Sequence, residues 1–193
     1  MIKASLDRLA QVEAIDIQWK SYELRPLNAP PMPPAQEQDY KQRIAAAWPR
    51  TRQTAQANFG VEMIHHRWGV KSRWAHEGAK LAEAKGLGEA YHAAMYKAHF
   101  IEDRDFGDLA ILADIAAEVG LDRAEFETAI KNHTYAAEVE QDVVQAQAYG
   151  IQGVPATIIE GKYMVSGAQP FEALVDIVRQ VKEREANNTP SPE

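Results

Sequence analysis

The amino-acid sequence predicts an α/β fold in which a long, all-helical stretch interrupts a small set of strands. Three observations predict it. Near the start, Ile15, Ile17 and Trp19 alternate with Asp16, Gln18 and Lys20, the period-two pattern of a half-buried strand. From Ser72 to Tyr149 apolar residues recur at helical intervals, with stop signals at Gly86, Gly120 and Gly150. After Ile151 two β-rich runs, Ala156–Ile159 and Tyr163–Val165, flank Glu160-Gly161-Lys162, which suits a tight hairpin. With 193 residues, 46% of them hydrophobic, the chain can form one domain with a sizeable core, or a small domain carrying a large insertion.

Each element has its own reason. Ile2, Leu6 and Leu9 lie at helical spacing, so the first residues form an amphipathic helix, with only Met1 ahead of it and no N-cap residue. The strand that follows, Ala14–Tyr22, ends before Pro26. Pro30, Pro31, Pro33 and Pro34 admit neither ladder nor helix and predict an extended surface connection. From Gln36 to about Asn58 a long helix is expected, kinked or split at Pro49, and the stretch from Phe59 to Lys71 is irregular.

Four helices then follow closely, Ser72–Lys85, Gly88–Glu102, Asp108–Val119 and Asp122–Lys131, with Asp108 and Asp122 standing where N-caps belong. Tyr135–Tyr149 is a fifth. Gln169-Pro170 opens a last helix from Phe171 to about Glu185, with Leu174, Ile177, Val178 and Val181 as its buried stripe. The tail ANNTPSPE lacks an apolar anchor and is expected to be mobile. In domain terms, residues 1–35 and 150–186 are expected to form the strand-bearing core, residues 36–149 the helical insertion and residues 187–193 a tail.

Composition excludes several classes of chemistry. The chain contains no cysteine. It therefore offers no disulfide staple, no cysteine zinc or iron–sulfur ligation, and no thiol of its own. A formal net charge of −7 opposes non-specific phosphate binding, so nucleic acid is not an expected partner. No apolar run approaches the roughly 20 residues that cross a bilayer, no apolar secretory segment opens the chain, and a cytoplasmic location is expected. No phosphate loop, GxGxxG or GxSxG motif occurs.

Histidines and acids give no better lead. His65-His66 and the pair His92 and His99 are the most metal-like arrangements, but His92 and His99 stand two turns apart, about 10.5 Å along a helix axis, and a zinc site needs three or four ligands. No metal and no cofactor are expected. The acidic run from Glu102 to Asp108 lacks the alternating ligands of a calcium loop and reads as a helix–helix connection capped by Asp108.

The order of elements and four stretches of wording resemble the DsbA family of thioredoxin-fold proteins, within it the FrnE-like branch. The stretches are KASLDRL, SYELRP, KSRWAHEGAKLAEAKGLGEAYHAAMYKAHFIEDRDFGD and AYGIQGVPATIIEGKYMVSGAQPFEAL. The likeness runs over nearly the whole chain. It implies a thioredoxin-like, DsbA-type core with a large helical insertion, and an activity of thiol–disulfide exchange. The family's CxxC motif lies after a first strand, at a helix start where amide donors and the helix dipole stabilise the attacking thiolate.

Aligning KASLDRL with the family's first helix places Met1 a few residues beyond the second cysteine. The first core strand and the CxxC motif are therefore expected to lie outside this sequence: either the native protein begins upstream, or another chain fills the gap, or the helical block alone keeps the protein compact, and the first reading is favoured. In such sheets that strand would lie between Ala14–Tyr22 and Ala156–Ile159.

No catalytic residue is assigned within this sequence. The resemblance gives a substrate-binding role to Gly153, Val154 and Pro155, the loop that holds a cis-proline opposite the family's cysteines, and extended peptides or protein thiols as partners. Arg73, Trp74 and His76 either line that groove or serve as a helix-start base and core aromatics; the packing role is favoured and no catalytic role is given to them. The chain alone is expected to be redox-inactive. Two alternatives stand beside the oxidoreductase reading: a peptide-binding module without chemistry, and a relative of the glutathione-dependent isomerases and kappa-type transferases.

Overall fold

Ile2, Leu6 and Leu9 do fall on one face of a helix, α1 (Ile2–Val12), whose N-cap position is Met1 without a side-chain cap. The computed structural model describes residues 1–26, 29–64 and 68–188. After α1 come α2 (Pro34–Phe59), α3 (Arg73–Ala84), α4 (Gly88–Phe100), α5 (Leu109–Glu118), α6 (Arg123–Lys131) and α7 (Ala136–Ala148). Strands β1 (Ala156–Ile159) and β2 (Tyr163–Ser166) and helix α8 (Phe171–Asn188) complete the order. Two compact units divide it: Met1–Trp19, Gln53–Val61 and the residues from Ile151 onward form the first, and Lys20–Arg52 with Glu62–Gly150 the second.

In the first unit, Leu6 and Leu9 of α1 pack with Leu174 and Val178 of α8, and Ile15, Ile17, Trp19 and Ile159 close the cluster. Full burial of four such side chains contributes about 1.5–3 kcal/mol each. Charge pairs trim the edges: Arg8 lies 4.0 Å over the Phe171 ring and Lys182 reaches Glu13 at 2.6 Å. The hairpin is antiparallel, with Thr157 opposite Val165 and Ile159 opposite Tyr163. Its turn carries Glu160 and Gly161 at φ 52° and 64°, successive left-handed residues of the kind a right-twisted hairpin requires. Glu185 of α8 fastens it, accepting from Lys162 at 2.6 Å and the Tyr163 hydroxyl at 2.9 Å.

Two expectations need correction. Ala14–Tyr22 is extended, and its burial alternates as the pattern predicts, but it joins no ladder among the described residues; the sheet consists of β1 and β2. Alternation reports which side chains face the core, whereas a strand also needs a neighbour to bond. Pro49 does not split the long helix, because α2 runs unbroken across it and begins at Pro34, where a proline's missing N–H costs nothing. Of the tail, helix α8 takes residues up to Asn188, and the rest lies outside the described residues, as do His65 and His66.

The second unit is built on the small residues of α3. Ala75, Ala79, Leu81 and Ala82 meet Tyr91 of α4, Leu112, Ala113 and Ala116 of α5, and Phe126 and Ile130 of α6. Gly78 sets the approach: a Cβ there would stand 2.5 Å from the Tyr91 hydroxyl and 2.8 Å from the Phe126 ring. Helix starts are capped as the sequence indicates, with Asp108 accepting from the amides of Ala110 and Ile111 and Asp122 from Glu125.

Asp142 of α7 is the polar anchor of this unit. It is 5% exposed, accepts from Ser21 N at 2.9 Å, and pairs with Lys80 at 2.7 Å and Lys20 at 3.2 Å. Burial by itself would raise its carboxyl, but hydrogen bonds from Lys80 and Ser21 and the Lys80 charge outweigh burial and hold it below the ordinary value. Asp142→Ala leaves Lys80 and the Ser21 amide without their partner, so urea denaturation should show a loss of about 3 kcal/mol. A loss under about 1 kcal/mol, the range of exposed pairs, would disprove the anchoring role.

Candidate functional site

The loop singled out by sequence lies at the entry to β1. The Val154–Pro155 peptide bond is cis. Gly153 and Val154 are exposed, Val154 by 51%, and a Cβ on Gly153 would meet nothing within 4 Å. The Pro155 carbonyl accepts from Gly167 N at 2.9 Å, extending the hairpin ladder by one pair.

That bond fixes which way the strand faces. In an antiparallel ladder, bonded pairs recur every second residue. With Pro155 bonded to Gly167, the next bonded pairs are Thr157 with Val165 and Ile159 with Tyr163. The N–H and C=O groups of Ala156 and Ile158 therefore point to the other edge of β1, where no strand lies among the described residues. On the core side, Ile159 shares its apolar cluster with Ile15, Ile17 and Trp19 of the extended segment. From Ala14 to Gln18 that segment makes no backbone hydrogen bond among the described residues. Two lengths of extended chain thus flank one core cluster, and neither is bonded to the other.

Arg73, Trp74 and His76 belong to the second unit and are described there. Trp74 is half-buried and packs on the α3–α6 core. Arg73 is a hub: its Nε donates to Glu77 at 3.3 Å, one terminal nitrogen to Glu23 at 3.1 Å, and the other to the Ala136 carbonyl at 3.0 Å. His133, in the turn between α6 and α7, brings Nδ1 to 3.2 Å from the same Glu77 oxygen. Sequence reasoning missed this cluster. The i,i+4 spacing of Arg73 and Glu77 was the available signal, but nothing local announces Glu23, fifty positions away along the chain.

The other candidates take structural roles. His92 lies 3.5 Å from Glu83, and His99 meets the rings of Phe100 and Phe106 edge-on. Among the described residues no three His, Asp or Glu side chains are grouped to hold a metal ion. The acidic run is a stapled helix–helix connection, with Glu102 on Lys97, Arg104 on Glu118 and Asp105 on Gly107 N. No helix among the described residues is long and apolar enough to cross a membrane.

A cis-proline loop leading into a hairpin, packed with two helices and joined in sequence to a helical unit, defines a thioredoxin-like protein of the type with a helical insertion. The chain belongs to the family of DSBA-like thioredoxin domains, whose family model matches residues 1–179. It is 30% identical over 169 residues to an uncharacterized protein of Bacillus subtilis, YwbO, covering 86% of this chain and 82% of that protein. Among solved structures, a probable DsbA oxidoreductase of Streptomyces coelicolor superposes with a TM-score of 0.80 at 25% identity, over 99% of this chain and 86% of its own. A 2-hydroxychromene-2-carboxylate isomerase shares the fold, with a TM-score of 0.76 at 18% identity over 98% of this chain and 92% of its own. The family is one of thiol–disulfide oxidoreductase type, and this sequence has no thiol.

His76 gives a titration that can be checked. Burial, then the neighbouring Arg73, His92 and Lys80 charges, lower it to about 4, and a hydrogen bond with the Tyr22 backbone only partly opposes them. An unfolded chain takes up this proton near the ordinary value, 6.5, and the folded chain only near 4. The neutral imidazole's contribution is therefore full above pH 6.5 and lost as pH falls towards 4. His76→Gln should remove up to about 3 kcal/mol of that decline, read as the difference in urea-unfolding free energy between pH 7 and pH 4. Parallel wild-type and variant profiles would show that His76 does not titrate in this way.

Proposed function

We propose that this chain is the polypeptide-holding body of a DsbA-type, FrnE-like thiol–disulfide oxidoreductase. In this reading the reactive sulfurs belong to a segment, a strand followed by a Cys-x-x-Cys motif at a helix start, that is not among residues 1–193. That strand pairs with the open edge of β1 and covers the apolar cluster beneath Ile15, Ile17 and Ile159, while the loop Gly153-Val154-Pro155 holds the extended substrate.

One observation carries the reading: the peptide groups of Ala156 and Ile158 face an edge with no strand, directly beside the exposed loop. Such an edge is a template for strand addition, in which main-chain hydrogen bonds supply affinity and side-chain pockets supply selectivity. The family supports thiol–disulfide exchange as the reaction, and the absence of cysteine supports a sulfur supplied from elsewhere. A thiolate attacks a substrate disulfide, forms a mixed disulfide and releases the second sulfur as thiolate. Without a cysteine this sequence can orient that exchange but cannot enter it.

Insulin reduction and dithiol oxidation, measured on the 193-residue chain and on the same chain carrying an added strand with a Cys-x-x-Cys motif, test the division of labour. The chain alone should stay at the buffer rate and the extended form should exceed it. Turnover by the chain alone, persisting after contaminating thiol proteins are removed, would overturn the reading. In the extended form Val154→Asp should weaken capture of an extended substrate peptide by about tenfold, or about 1.4 kcal/mol, leaving the unfolding midpoint unchanged. Turnover that requires glutathione instead would favour the isomerase and transferase class.

A further inference from the structure

Helix α2 is the longest in the chain, at 26 residues, and Ala55 is its one buried residue. Its inner side, through Glu37, Ile44, Trp48 and Thr51, is half-buried. Asp39, Gln42, Ala45, Ala46, Pro49 and Arg50 lie round the opposite side and are exposed. The other helices of the second unit all pack on α3, and α2 shares no comparable contact with any of them. Helices in proteins draw most of their stability from a packed face. The outer face of α2 has none.

The charges on that face have a polarity. Asp39 stands towards its N-terminal end, and Arg50 follows about three turns later, which returns it to the same flank. Asp39 holds Arg43 at 3.1 Å through one carboxylate oxygen. Arg50 makes no ion pair among the described residues. Between the two charges, Gln42, Ala45 and Ala46 present small or uncharged side chains, over which two helix axes can approach to about 8 Å.

We propose that this face of α2 binds a second copy of the same chain, the two helices packing antiparallel about a two-fold axis near Ile44 and Ala45. Asp39 then meets the partner's Arg50, and Arg50 meets the partner's Asp39. Both pairs lie on the same flank, as a two-fold interface requires, because residue i contacts residue j and j contacts i. A parallel pair would set acid on acid and base on base, so the charge pattern selects the antiparallel one. Any other protein would have to bring a base and an acid at this spacing, whereas the chain itself already carries both. A contact along one helix is at the small end of interface sizes, so the dimer is weak and depends on concentration. The surface does not involve the β1 edge and does not depend on the role assigned to that edge.

Sedimentation of the 193-residue chain from about 10 μM to about 1 mM tests this, with the average mass expected to rise from one chain towards two. Arg50→Glu and Asp39→Lys should each weaken association about tenfold, since the two-fold makes each variant strike both pairs. Combined, the two changes should restore it. Arg52→Glu makes the same charge change on the other flank and should leave association unchanged. All three positions are exposed, so the unfolding midpoints should stay the same. Because the chain has no cysteine, single introduced thiols report the geometry. Ala46→Cys, close to the axis, should cross-link under mild oxidation, whereas Gln53→Cys, on the same face but about 25 Å from its copy, should not. One-chain mass up to about 1 mM, a double variant no better than the single ones, or efficient cross-linking of Gln53→Cys would each overturn the proposal.

Discussion

Two buried charges, Arg73 and Asp142, hold the chain from Lys20 to Glu23 against helices α3 and α7, and the architecture of the second unit depends on that clamp. Asp142 takes the Ser21 amide and the Lys80 ammonium; Arg73 takes Glu23 and the Ala136 carbonyl. Both tie a segment with little apolar character of its own to helices fifty or more positions further along the sequence. Apolar packing alone would not select this register, because Ser21 and Glu23 bring no hydrocarbon to bury. A charge buried with its partner is neutral or mildly favourable, whereas a charge buried alone is strongly costly, so displacement of this segment is penalised at both ends.

The same clamp explains why His76 is held neutral. It lies among Arg73, His92 and Lys80, and burial removes the water that would solvate a further proton. Lys80 behaves in the opposite sense: burial alone would release its proton, but Asp142 and Glu83 hold it. The direction of each shift follows from whether the neighbours carry the same or the opposite sign. Position along α3 separates the two residues by one turn, and the neighbouring helices decide the rest.

Local signals were readable from the sequence and long-range ones were not. Asp108 and Asp122 are caps because a side-chain oxygen two or three residues from free amides needs nothing beyond its own turn. The hairpin at Glu160-Gly161 was legible for the same reason, and the stripe of α8 through Leu174 and Val178 also. The alternation of Ile15, Ile17 and Trp19 read correctly as facing a core and incorrectly as a strand, since pairing depends on a partner that periodicity does not contain. Pro49 read as a kink or a split, and α2 runs across it without splitting; one missing hydrogen bond is absorbed in a long, exposed helix. The cis bond between Val154 and Pro155 was legible through family likeness, and physical reasoning from the residues alone would have made Pro155 an ordinary strand start. The Glu23, Arg73 and Glu77 cluster had only the Arg73–Glu77 spacing to announce it.

The residue choice along the edge of β1 is unusual for an open edge. Proteins protect an exposed edge with charge, inward-facing lysines, bulges or proline. From Gly153 to Ile159 the sequence is GVPATII, with no charged residue, and Pro155, whose carbonyl is bonded to Gly167 N, does not block the groups of Ala156 and Ile158. The charges that a guarded edge would carry stand instead on the turn, at Glu160 and Lys162, and on α8. An edge composed of alanine and isoleucine, lying over a cluster shared with a second unbonded length of chain, has the composition of an inner strand. Inner strands are apolar on both faces because helices or strands cover them. The residue choice in β1 is therefore that of a covered strand, and nothing in β1 itself carries the family's chemistry.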